Sequence, residues 1–82
     1  MLKEVIVYTT PTCPYCHKIK EWLAQHKVDF KEINLAEDYD AAQRMIEESN
    51  QVGVPVVKIS ENNKIKKIII GYDTDQLEDE FA

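Results

Sequence analysis

Two cysteines, Cys13 and Cys16, stand three positions apart in a chain of 82 residues that has no others. On a helix that spacing puts two thiols one turn apart, within reach of each other. A single pair cannot build the disulfide framework of a small secreted scaffold, and a lone C-x-x-C in a reducing compartment is more often redox-active, catalytic or metal-binding than structural. Thr9 to Thr12 reads as a turn from a strand into a helix. Cys13 would then face free backbone N–H groups and the positive helix end, which favour thiolate over thiol, and His17 and Lys18 on the next turn add positive potential. Such a thiolate attacks a substrate disulfide and forms a mixed disulfide. Cys16 then attacks the Cys13 sulfur, closes an internal disulfide and releases the substrate as thiol.

Other chemistries fit the same residues. Cys13-Pro14-Tyr15-Cys16-His17 also matches C-x-x-C-H, the attachment pattern of c-type haem. Zinc would need further ligands, and only His17 and His26 are available as histidines, with no second C-x-x-C. Two chains pooling cysteines could hold an iron–sulfur cluster, which makes a metal- or cluster-carrying protein the rival from another class. Two ordinary buried cysteines would be the purely structural alternative. The haem pattern fits poorly, because the motif follows a buried strand and no export signal precedes it. No bound cofactor and no metal are expected.

A second position that bears on chemistry is Val54-Pro55. Proline is at odds with an interior ladder position, so it sits at a strand end or carries a cis bond. Beside Cys13, a cis Pro55 would leave the Val54 N–H and C=O free to pair with an extended substrate as an added strand. A proline that only guards a sheet edge is the plainer alternative.

These residues need elements to position them. Val5 to Tyr8 is a short β-branched run without alternation, which predicts a strand buried on both faces. After Pro14, an early helical residue, Ile19, Trp22, Leu23 and His26 recur at helical spacing. Val28 to Leu35 alternates imperfectly and favours a second strand, and Asp38 to Glu48 carries an apolar stripe of Ala41, Ala42, Met45 and Ile46 that predicts a second helix. Val54 to Ile59 and Ile65 to Ile70 read as antiparallel strands joined by Glu61-Asn62-Asn63-Lys64. Gly71 breaks the second of these, Asp73 or Thr74 caps a last helix, and Leu77 and Phe81 lie on its apolar side. The acidic run Asp73 to Glu80 is expected to be a solvated face of that helix. The order is β-α-β-α-β-β-α: an α/β domain with a right-handed parallel unit, a hairpin and a covering helix, forming a four-stranded mixed sheet with helices on both faces.

Composition bounds the partners. With 44% hydrophobic and 30% charged residues, one globular domain spanning residues 1–82 is expected. The net charge of -5 and the lack of a basic stripe would repel a nucleic-acid backbone. No apolar run approaches a membrane span, and Met1-Leu2-Lys3-Glu4 lacks the order of a secretory signal, so no membrane partner and a cytoplasmic location are expected.

Cys13-Pro14-Tyr15-Cys16, Val54-Pro55 and Gly71-Tyr72-Asp73, in that order and on those elements, resemble the dithiol glutaredoxins of the thioredoxin fold, over nearly the whole chain. The resemblance implies a monomeric thiol-disulfide oxidoreductase with Cys13 as nucleophile, Cys16 as resolving cysteine and Pro55 as cis-proline. It further implies that Thr12, Pro14 and Tyr15 flank bound substrate and that Val54, Pro55, Gly71, Tyr72, Asp73 and Thr74 line its site. Glutathione is the implied co-substrate, and disulfide-containing proteins or glutathione mixed disulfides are the implied substrates. Departures bear on the electron donor. Thr10 stands where many glutaredoxins have a lysine for the glycine carboxylate of glutathione, Asn50 to Val54 lacks a basic residue, and Gly53 replaces the usual threonine. Gly71-Tyr72 is similar to the Gly-aromatic pair of redoxins that serve ribonucleotide reductase and take electrons from thioredoxin reductase, the alternative donor. The γ-glutamyl carboxylate of glutathione could still meet the N–H groups near Asp73 and Thr74, residues whose plainer role is helix capping.

Overall fold

The β-branched run near the start of the chain is the middle of the molecule. A computed structural model describes residues 3–81, in the order β1 Lys3–Thr9, α1 Pro14–Gln25, β2 Lys31–Asn34, α2 Tyr39–Ser49, β3 Val56–Glu61, β4 Lys64–Ile70 and α3 Thr74–Phe81. Met1 and Leu2, part of the segment read as lacking an export signal, lie outside the described residues. The strands form one four-stranded sheet in the order β2-β1-β3-β4, with β1 and β2 parallel and the other pairs antiparallel.

Successive strand residues face opposite sides, so an unbroken apolar run serves two layers. Val5 and Val7 join Val57, Ile59 and Ile69 under Ile19, Trp22 and Leu23 of α1 and Leu77 of α3. Ile6 and Tyr8 join Val56 under Ala41 and Met45 of α2. This is the thioredoxin fold, with helices on both faces of the sheet.

The second strand is shorter than its sequence suggests. Val28 and Phe30 pack against the α1/α3 layer, whereas Ile33 and Leu35 pack against the α2 layer. The chain changes faces at the sheet edge, which explains the imperfect alternation and leaves only Lys31–Asn34 in the ladder. His26 departs from the expected apolar stripe. The helix stops at Gln25, Lys27 takes a left-handed φ of 57°, and exposed His26 stacks on Trp22 with ring centroids 3.7 Å apart. The third strand starts at Val56 rather than Val54, after a cis Val54–Pro55 bond.

The turns follow their residue types. Asp38 caps α2 by accepting from Ala41 N at 2.9 Å, Asn50 ends it at φ 63°, and Asn62 and Asn63 take the two left-handed positions of the hairpin. Gly71 sits at φ +79° with open space where a Cβ would point. Gly71→Ala therefore introduces backbone strain without a clash. Its expected cost is about 1–2 kcal/mol, read as a lowered urea midpoint; an unchanged midpoint would contradict this.

Asp75, Glu78 and Asp79 of the acidic last helix are exposed, as a solvated face requires, but the Glu80 side chain is only 10% exposed and reaches Lys66 at 3.0 Å and Lys3 at 3.5 Å. At the end of β1, buried Thr9 donates through Oγ1 to Glu32 Oε2 at 2.8 Å and Lys20 Nζ reaches the same oxygen at 2.9 Å. These two hydrogen bonds, first from Lys20 and then from Thr9, hold the Glu32 carboxyl below the ordinary glutamate range. A depressed carboxyl stabilises the fold above its unfolded value, and that contribution disappears as pH falls through the lowered folded value. Unfolding midpoints of Glu32→Gln and the native chain should therefore converge as pH falls from neutral through the ordinary glutamate range and below it. A gap that stays constant over that range would show that Glu32 titration is not involved.

Candidate functional site

Strand register determines what meets the cysteines. Tyr8 of β1 pairs with Val56 of β3, so Val54 and Pro55, just before β3, lie beside the end of β1 where the chain enters α1. Val56 pairs in turn with Ile70, and Gly71 N donates to Pro55 O at 2.8 Å. Three stretches distant in sequence thus converge on the start of one helix.

Cys13 is the N-cap of α1. Its backbone N donates to Thr10 O at 3.4 Å, which closes the turn, and its sulfur accepts from Cys16 N at 3.2 Å. A side-chain acceptor at this position satisfies one of the orphan N–H groups of the helix, and a sulfur there sits where negative charge is favoured. Pro14 occupies the first helical position, where its missing N–H costs nothing. The Cys13 thiol also faces Val54 O at 3.8 Å, a weak S–H donor contact.

The two sulfurs differ in access. Cys13 is partly exposed, whereas Cys16 is 1% exposed. Burial pushes the Cys16 thiol up from 9.0 to about 11, and its hydrogen bond with Cys13 adds to the shift. At neutral pH Cys16 is a protonated, inward-facing thiol.

The remaining candidate residues divide into two groups. Thr12, Pro14 and Tyr15 are exposed around Cys13, with Tyr15 57% exposed and Lys18 Nζ 5.5 Å from its ring centroid. Lys18 thus sits over an aromatic face on the rim of the site. Val54, Pro55 and Gly71 form the facing wall. Tyr72, next along, packs against the α1/α3 core layer. The Asp73 carboxylate accepts from Gln76 Nε2 at 2.8 Å and Gln76 N at 3.2 Å, which holds it below the ordinary aspartate range, and Thr74 begins α3. Asp73 is engaged in capping. Among the described residues, no group of three or more His, Cys, Asp or Glu side chains is placed to hold a metal ion.

Gln51 lies in a segment that the sequence marks only by its lack of a basic residue. Its side chain bonds both backbone groups of Gly53, next to Val54. A glutamine two residues before a glycine in a short loop is the available signal.

A thioredoxin fold with one partly exposed and one buried thiol at the start of its first helix defines a dithiol redox protein. The glutaredoxin family model matches residues 5–64, and the chain belongs to that family. It is 39% identical over 72 residues to a glutaredoxin-like 8.6 kDa protein in the rubredoxin operon of Clostridium pasteurianum, covering 88% of this chain and 89% of the relative. It is 40% identical over 60 residues to glutaredoxin 3 of Escherichia coli K12, covering 71% and 70%. Among solved structures, the Archaeoglobus fulgidus glutaredoxin superposes with a TM-score of 0.78 at 29% identity, covering 95% of this chain and 85% of that one.

Proposed function

We propose that this chain is a cytoplasmic, monomeric thiol-disulfide oxidoreductase that reduces protein disulfides and glutathione mixed disulfides, with glutathione as electron donor. The observation that carries the reading is the unequal pair: Cys13 at the helix N-cap beside Val54 O, and Cys16 buried directly behind it. Cys13 attacks the substrate disulfide and one sulfur leaves as thiolate, taking up a proton. Cys16 loses its proton, attacks Cys13 and expels the second substrate sulfur, so two electrons pass to the substrate and a Cys13–Cys16 disulfide remains. Two glutathione molecules restore the dithiol and leave as glutathione disulfide. Val54 offers its backbone to an extended substrate, and Tyr15 flanks it.

A second reading, a redoxin fed by thioredoxin reductase, is favoured by Thr10 and Gly71-Tyr72. Thr10 offers no cation to the glycine carboxylate of glutathione, and its carbonyl is engaged by Cys13 N. An exposed charge pair contributes about 1 kcal/mol or less, roughly fivefold in affinity, so its loss weakens a glutathione site without removing it. Turnover of a glutathionylated peptide, supplied in parallel with glutathione plus its reductase and with thioredoxin reductase, decides between the two. Turnover only with the latter overturns glutathione as donor, and turnover with neither overturns the exchange reading.

A further inference from the structure

The loop that brings Val54 to Cys13 lies between the end of α2 and the start of β3, and the Gln51 side chain braces its middle in place of a ladder. Gln51 Oε1 accepts from Gly53 N at 2.7 Å, and Gln51 Nε2 donates to Gly53 O at 2.9 Å. An amide that pairs with the N–H and C=O of one residue imitates a rung of β-ladder. The same Nε2 lies 3.3 Å from Ser49 Oγ, which donates to Met45 O at 2.6 Å, so the clamp is tied to the last turn of α2. Gly53 leaves room for this approach. A Cβ there would stand 3.0 Å from Gln51 Oε1, and Gly53 has no left-handed φ that would itself call for glycine.

Gly53 is bonded directly to Val54, whose carbonyl faces the Cys13 sulfur at 3.8 Å. We infer that Gln51 is a positioning residue which, through Gly53, holds the Val54 backbone ready to pair with a peptide substrate, so that disulfides embedded in peptide are preferred over disulfides without a backbone. This rests on the exchange reading above and assigns its substrate preference to a residue that touches neither sulfur. Rigid presentation of a strand edge matters only to a substrate that adds a strand.

The test uses the full chain, reduced, with two disulfides: a glutathionylated peptide and dithiobis(nitrobenzoate), which has no peptide bonds. Second-order rate constants are measured for the native chain, Gln51→Ala and Gln51→Glu. Glutamate keeps the length of glutamine but sets an oxygen against Gly53 O. The ratio of peptide rate to aromatic rate is expected to fall about tenfold in both variants, the effect of about one to two lost hydrogen bonds. An unchanged ratio in either of them, whether both rates fall together or neither falls, overturns the inference. A native chain that reduces neither disulfide overturns the exchange reading itself, a result visible without any variant.

Discussion

Cys13→Ser is expected to leave no measurable reduction of any disulfide, whereas Cys16→Ser should lose reduction of protein disulfides yet still remove glutathione from a glutathionylated peptide. A serine hydroxyl at the helix N-cap would accept the Cys16 N–H as the sulfur does, so the fold survives while the nucleophile is gone. In Cys16→Ser, Cys13 still attacks and still forms a mixed disulfide. What fails is the internal step that expels a tightly held protein thiol, since only an external thiol can then attack Cys13. The two variants should be compared in a glutathionylated-peptide assay and a protein-disulfide assay. Equal loss for both variants in both assays would sink the division of roles.

Leu77→Ala is expected to be the most damaging of the simple core truncations relative to the size of the element it anchors. α3 has eight residues and Leu77 is its one fully buried side chain, packed at 0% exposure into the layer shared with Ile19, Leu23 and Ile69. Removing a buried leucine to alanine costs about 2–5 kcal/mol, and a domain of this size has only about 4–12 kcal/mol in total. Tyr72, two residues before the helix, and Phe81, its last residue, pack against the same layer and should loosen with it. Urea unfolding monitored by circular dichroism gives the loss, and Trp22 fluorescence, 6.4 Å from the Phe81 ring, reports the undocking. A midpoint shift equivalent to less than about 1 kcal/mol would mean that α3 is held by its polar contacts instead.

Much of this architecture was legible from residue types. The buried run Val5 to Tyr8, the stripe Ala41 to Met45 and the Asn62-Asn63 turn each carry a local signal strong enough to survive folding. The cysteine pair was equally readable, because its spacing on a helix start is itself local. What sequence could not supply depends on register. The approach of Val54 to Cys13 follows from Tyr8 standing opposite Val56. The edge strand misled at its start because Val28 and Phe30 serve one layer and Ile33 and Leu35 the other, a change of side that periodicity registers only as noise. Gln51 left only a weak trace for a different reason. Side-chain bonds to a nearby backbone depend on loop dihedrals, which a run of small and polar residues does not determine.

The difference in access between the two sulfurs reaches beyond the chemistry of one encounter. Only Cys13 can be touched from outside, so an oxidised chain and a reduced chain meet their partners through one and the same atom. For a protein that exchanges disulfides, donor and acceptor must then arrive in turn, each displacing the last, with no ternary complex in between. Turnover would follow parallel-line kinetics when the two are varied together, and an abundant poor acceptor would compete with better acceptors for the reduced form.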